Sequence, residues 1–153
     1  MGSIDIEDAC LVLKSGYSGK CGLFDLSDGK QVIDFRYDDI TLLGFNRALG
    51  KDGSRRYLLD TSTGDVIASL PPNIGAAHFN ETPVTWIFRA KSYYGIIDEE
   101  GNILYEDAKD PLTGVTKFRH GFSGGQKDNK KWGILKSDGT WLVHPTYDYI
   151  KLL

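Results

Sequence analysis

The chain has 153 residues, 41% hydrophobic and 25% charged, with a formal net charge of −3. That length suits one domain with a self-sufficient core, and the charge argues against a general nucleic-acid binder, which needs cations to neutralise phosphates. The 18 glycines and 8 tyrosines point to short strands joined by tight turns.

The first stretch, MGSIDIEDACLVL, carries acids and no basic region, so it does not read as a secretory leader. Ile6 also breaks the myristoylation pattern. Cys10 and Cys21 have neither zinc spacing nor a C-x-x-C arrangement. Two free cytosolic thiols are the reading the compartment rule favours, with a disulfide as the alternative. No apolar run approaches the ~18 residues of a membrane span. The expected compartment is the cytoplasm, with no membrane partner.

A repeat then runs along the chain. KCGLFDLSDGKQVI begins at Lys20, RRYLLDTSTGDVIA at Arg55, YYGIIDEEGNILY at Tyr93 and KWGILKSDGTWLV at Lys131. Repeat cores lie near 20–40, 55–74, 93–112 and 131–150, within a single β-repeat domain spanning 1–153. A glycine closes each turn at Gly29, Gly64, Gly101 and Gly139, spaced 35, 37 and 38 residues apart. Each unit predicts a β-hairpin, with glycine where positive φ is needed and flanks of β-branched, aromatic and leucine residues. Gly22, Gly95 and Gly133 interrupt strands, each following the position that Trp132 fills in the last copy. A missing side chain there lets a cross-strand ring lie over the backbone. The second copy has Arg56-Tyr57 at this place, and the first has Cys21 for the aromatic.

The outer parts recur as well. Tyr37-Asp38 corresponds to Tyr147-Asp148, and Ile40 to Ile150. Pro145, lacking a donor, is expected to end the last paired strand. Upstream, FRHGFSGGQKDNKK and HFNETPVTWIFRAKSY each read as a further strand and a polar turn. No stretch holds a helical period. The predicted fold is all-β: about four repeats of roughly three short antiparallel strands, in a propeller-like or twisted array.

FRHGFSGGQKDNKKWGILKSDGTWLVHPTYDYI resembles the WG β-repeat of bacterial proteins, with weaker echoes in YYGIIDEEGNILYED and KCGLFDLSDGKQVIDFRYDDI. The resemblance implies an antiparallel β-repeat array and a binding module rather than an enzyme. Small stand-alone proteins of this kind look like parts of toxin–immunity systems.

GFSGG, residues 121–125, matches the nucleophile pattern G-x-S-x-G. That pattern needs a strand, a sharp turn, a helix and later acid and histidine partners. A hairpin follows instead, so Ser123 reads as a small residue at a close backbone approach. His78, His120 and His144 have no ligand spacing, and no calcium loop, Walker A or Rossmann pattern is present. The pairs Asp38-Asp39 and Glu99-Glu100 lie in or near turns. No catalytic, cofactor or metal residue is therefore expected.

Charge is uneven. Asp98, Glu99, Glu100, Glu106, Asp107 and Asp110 crowd one stretch with a single base, Lys109. Lys117, Arg119, Lys127, Lys130 and Lys131 crowd the next with a single acid, Asp128. Solvated turns explain this equally well. The functional reading makes the acids, with Tyr105, a face for a basic protein partner. EDAKDPLTG breaks the repeat there, and irregular loops on regular arrays are where function sits. Tyr93, Tyr94 and Trp86 lie nearby as interface or core aromatics. The expected function is a non-enzymatic protein-binding module, in its sharper form an immunity protein blocking a basic nuclease toxin. The alternatives are a carbohydrate-binding or glycan-processing β-repeat domain, or a fragment of a larger structural array.

Overall fold

The structure is a computed structural model that describes residues 10–80 and 82–151. The leader and myristoylation readings fall outside these residues. Among the described residues there are fifteen strands and no helix, as the turn-rich, unperiodic sequence predicts. Contacts gather into two compact units, Met1–Asn73 and Ile74–Leu153. The division falls between the second and third repeats.

The first unit holds two antiparallel sheets. One contains β1 (Cys10–Lys14), β2 (Cys21–Asp25) and β3 (Gln31–Tyr37), in that order. The other contains β4 (Asp39–Gly44), β5 (Arg47–Asp52), β6 (Arg55–Asp60) and β7 (Val66–Leu70). The second unit holds β8 (Gly75–Ala76), β9 (Val84–Arg89), β10 (Ser92–Asp98) and β11 (Ile103–Glu106) in one sheet. Its other sheet holds β12 (Gly114–Val115), β13 (Phe122–Gln126), β14 (Trp132–Lys136) and β15 (Trp141–Tyr147). Three strands per repeat are thus present, and three of the four sheets add a fourth. The repeat as read in sequence straddles two sheets, because Ile40 leaves the first sheet and joins β4 of the second.

The four hairpins share a register. Each turn glycine has positive φ, between 73° and 84° at Gly29, Gly64, Gly101 and Gly139. Three residues further on, at Val32, Ile67, Leu104 and Leu142, one extra residue interrupts the ladder in every copy. A one-residue bulge bends the strand and increases its twist.

A larger bulge distinguishes the first and last copies. Cys21 pairs with Tyr37 and Leu23 with Ile33, so two extra residues of β3 stand opposite Gly22. Trp132 pairs with Tyr147 and Ile134 with Val143, leaving the same excess opposite Gly133. A Cβ on Gly22 would lie 2.7 Å from the Ile33 carbonyl oxygen and 3.1 Å from the Phe35 ring. One on Gly133 would lie 2.7 Å from the Trp141 ring and 2.8 Å from the His144 carbonyl carbon. A ring therefore covers both glycines, as expected. Gly95 differs: Ile87 and the Tyr105 carbonyl oxygen, not a ring, occupy the space. In the second copy, Tyr57 simply faces Ser69 in unbroken register.

This bulge corrects the reading of Pro145. The strand β15 runs through it to Tyr147. Pro145 lies between the paired residues Val143 and Tyr147, where no ladder donor is required.

Each large bulge delivers a Tyr-Asp pair to the end of its hairpin. Asp38 forms an ion pair with Lys20, and Asp148 with Lys131, each lysine directly preceding the Cys/Trp-Gly step. Asp38 also accepts a hydrogen bond from the Gly53 N–H at 2.7 Å. The Lys20 hydrogen bond, then that N–H, hold the Asp38 carboxyl below the usual carboxylate range.

The cores follow from this arrangement. In the first unit Leu23, Ile33, Tyr37, Ile40, Ala48 and Leu59 are buried together. In the second, Trp86, Ile96, Leu112, Phe118 and Leu135 are. Each fully buried Leu, Ile or Phe contributes about 1.5–3 kcal/mol over its exposed state. Cys10 is half-buried in β1 and Cys21 buried in β2, and no disulfide joins them.

Gly133→Ala is expected to lose about 1–3 kcal/mol through overpacking. Gly16, whose added Cβ would meet nothing within 4 Å, should tolerate alanine within about 0.5 kcal/mol. Urea unfolding of both variants checks the contrast.

The lowered Asp38 carboxyl makes a second, pH-dependent expectation. Its stabilisation is present above the unfolded carboxylate pKa and is lost as pH falls through the lower folded value. Asp38→Asn should therefore flatten the acid limb of the stability–pH curve, measured by urea unfolding in steps below about pH 4.

Candidate partner-binding site

Ser123 is fully buried in β13. Its Oγ accepts a hydrogen bond from the Trp86 indole N–H at 2.9 Å, and lies 2.9 Å from the carbonyl oxygens of Thr116 and Gly124. Trp86 itself stacks on Phe118, with ring centroids 5.6 Å apart. The hydroxyl is engaged in orienting a core tryptophan. Gly124 and Gly125 make room for Ile150, Thr116, Leu112 and Leu135. The GFSGG stretch is a crossing of tightly packed strands.

The histidines lie apart. His78 is exposed, with Nδ1 2.7 Å from the Phe79 carbonyl oxygen. His120 sits exposed in a turn at φ 55°, and His144 is exposed in the β15 bulge. Among the described residues no three His, Cys, Asp or Glu side chains gather in a way that could hold a metal ion.

The acidic stretch occupies the β10–β11 hairpin and the segment after it. Asp98 is committed to the turn: Oδ1 accepts the Glu100 and Asn102 N–H groups, both at 2.9 Å. Glu99 is partly exposed and Glu100 fully so. Glu106 is exposed at the far end of β11, opposite Gly95. Asp107 caps the following turn, accepting the Lys109 and Asp110 N–H groups at 3.1 Å. Asp110 holds Lys127 at 2.6 Å. The six acids therefore form two groups, one at each end of a four-residue strand.

EDAKDPLTG is tied at two points. The Asp107 N–H donates to the Tyr94 carbonyl at 2.7 Å, and Tyr93 and Leu112 exchange backbone hydrogen bonds at 2.9 and 2.8 Å. Leu112 is buried as the anchor. Tyr105 belongs with the core: it meets Trp86 edge-on at 6.5 Å and lies over Gly139. Burial pushes its phenol pKa up. Of the basic run, Lys127 and Lys131 are engaged by Asp110 and Asp148, while Lys117 and Lys130 are exposed.

Sequence reasoning passed over Arg89. Its guanidinium lies 5.1 Å from the centre of the Tyr94 ring, and with Ser92, Ala108 and Pro111 these residues line a small cleft of about 120 Å³ beside the acidic excursion. The signal was present in Pro111 and in the departure of EDAKDPLTG from the repeat. A second cleft, of about 150 Å³, is lined by His78, Tyr93, Thr116 and Lys117 among others.

Residues 132–152 match the family profile described as the WG containing repeat. The computationally designed Ika8 protein is similar at a TM-score of 0.55 and 12% identity, over 91% of this chain and 47% of that one. The designed Ika4 protein is similar at 0.52 and 16%, over 83% and 84%. Hsv2p of Kluyveromyces lactis is similar at 0.52 and 13%, over 88% and 47%. The chain spans about half the length of the Ika8 and Hsv2p chains. These likenesses show the fold alone, and the solved neighbours are β-propeller-like. No curated protein matches the chain. No helix of the described residues is long and apolar enough to cross a membrane.

Ser123→Ala should leave the Trp86 N–H buried without its acceptor and cost about 1–3 kcal/mol. Urea unfolding followed by far-UV circular dichroism measures it. A double-mutant cycle with Trp86→Phe should show that the two losses do not add.

Proposed function

We propose that this chain is a protein-binding module whose β10–β11 hairpin receives a basic partner, and that its specific role is immunity against a basic nuclease toxin. The observation that carries the reading is the exposed acids Glu100 and Glu106, with Glu99 in the β10–β11 turn and Asp110 in the segment after β11 that departs from the repeat. The two groups are separated by about the length of a four-residue strand, ~13 Å. That spacing suits two cationic groups of a phosphate-binding face better than a single metal or ligand. Acids placed so would occlude such a face and accelerate encounter at low salt.

The buried, hydrogen-bonded state of Ser123 supports a non-catalytic reading. So does the WG containing repeat at residues 132–152, which favours a β-repeat interaction module. Exposed Ile103 and Leu104 between the acid groups supply apolar contact area for the same partner.

The test uses the chain as bait in cytosol from cells that carry it. The captured protein is identified and its nuclease activity is assayed with and without the bait. A stoichiometric complex with silenced activity is the expected result. Triple charge reversal at Glu99, Glu100 and Glu106 should weaken binding by at least tenfold and reduce its salt dependence. Full protection by that variant, in a folded state by circular dichroism, would overturn the placement of the site.

A further inference from the structure

Tyr94 is only 4% exposed, and its hydroxyl is buried without a hydrogen-bond partner. Buried hydroxyls are almost always satisfied, because leaving one unpaired forfeits its bonds to water. Burial pushes this phenol up, Arg89 opposes the shift and Glu106 adds to it. At neutral pH the group is therefore an intact O–H, a donor with no acceptor.

The hydroxyl belongs to a residue set apart by the sheet. Tyr93 pairs with Phe88 and Gly95 with Ile87, so Tyr94 is the surplus residue of a bulge in β10. Its carbonyl accepts the Asp107 N–H at 2.7 Å, which brings the irregular segment after β11 alongside. The cleft of about 120 Å³ lies among these parts. The β9–β10 turn contributes Arg89 and Ser92, the bulge contributes Tyr94, and the irregular segment contributes Ala108 and Pro111.

Local charge at this cleft differs from that of the surrounding stretch. Arg89, Lys91 next to Ser92, and Lys109 next to Ala108 are all exposed. Of the acids in the same segment, Asp107 caps its own turn and Asp110 is held by Lys127. Glu106, opposite Gly95, is the remaining negative charge.

We propose that this cleft binds a carboxylate on a short aliphatic stem. The Tyr94 and Ser92 hydroxyls donate to the carboxylate oxygens, and Arg89 supplies the opposing charge. Ala108, Pro111 and the Tyr94 ring enclose the stem. One negative charge suits the site better than the two of a phosphate, because Glu106 already acts on Tyr94. The volume admits a few heavy atoms and excludes a nucleotide or an oligosaccharide. The carboxylate belongs either to a free short-chain acid or to an acidic side chain of a bound protein. This site is independent of the basic-partner reading of the hairpin.

Titration of the isotope-labelled chain with sodium propionate, followed through its backbone amide resonances, tests the proposal. Saturable shifts are expected at Ser92, Tyr94, Ala108 and Lys109, with none from propionamide, the uncharged isostere. Tyr94→Phe removes only the unpartnered hydroxyl. Its urea midpoint should match or exceed that of the unchanged chain, while its affinity for propionate falls about tenfold or more. The peptide acetyl-Ala-Glu-Ala-amide, beside its Gln counterpart, separates the two sources. Tighter binding of the Glu peptide than of propionate assigns the site to a protein side chain, and weaker binding assigns it to a free acid. Four results would overturn the proposal: no saturable shift with propionate, equal shifts with propionamide, unchanged affinity in Tyr94→Phe, or a lowered urea midpoint in that variant, which would show the hydroxyl already satisfied.

Discussion

Two strands of this protein approach more closely than a side chain allows, and much else rests on that approach. Opposite Gly22 and Gly133 the neighbouring strand carries two surplus residues, and its backbone and an aromatic ring settle onto the vacant position. The surplus carries the strand on to Tyr37 or Tyr147. It also sets the next aspartate beside the lysine that began the hairpin. Glycine, bulge and ion pair are one device, and the Lys-x-Gly and Tyr-Asp elements of the repeat are its two ends. The exposed ion pair adds little by itself. Its value is that it fixes where the chain leaves one sheet for the next.

The turn glycines serve a second purpose. Gly64 lies against Val32, the bulged residue of the preceding sheet, and Gly139 lies against Tyr105, beside the bulged Leu104. Within each unit, then, a turn glycine is both the residue that tolerates positive φ and the surface on which the previous sheet rests. At Gly64 and Gly139 that dual demand excludes asparagine, which is tolerated at positive φ elsewhere in the chain, as at Asn46 and Asn73, while at Gly29 an added Cβ would meet nothing within 4 Å.

Hairpins and turns were legible in the sequence because both have local signatures: turn glycines and short apolar flanks. Ser123 reads as a packing residue because the KKWGILKSDGTWLV hairpin follows it where a nucleophile elbow needs a helix, and the structure buries it in β13 against Trp86. What was not legible depends on pairing. The bulges at Val32, Ile67, Leu104 and Leu142 leave no composition signal, since an extra apolar residue looks like any other strand residue. Pro145 misled for the same reason: its harmlessness depends on a partner strand that the linear pattern does not reveal. The acidic stretch reads as one run of charge, but β11 divides it, and Tyr105, grouped with it by proximity in sequence, faces the core. Arg89 was missed because its partner Tyr94 lies across a turn that follows no repeat.

The regular hairpins leave little to vary, and the irregular segment after β11 is where the proposed partner would find something particular to this chain. Its backbone bonds to Tyr94 and Tyr93 tie the excursion down at Asp107 and Leu112, so in the proposed complex Asp107 and Asp110 would be placed before encounter, at less cost in ordering entropy. Hydrogen–deuterium exchange on the captured complex, compared with the free chain, tests this most directly. The account predicts new protection concentrated in residues 98–110, with the other three hairpins unchanged. Protection confined to another hairpin, with residues 98–110 exchanging as in the free chain, would contradict it.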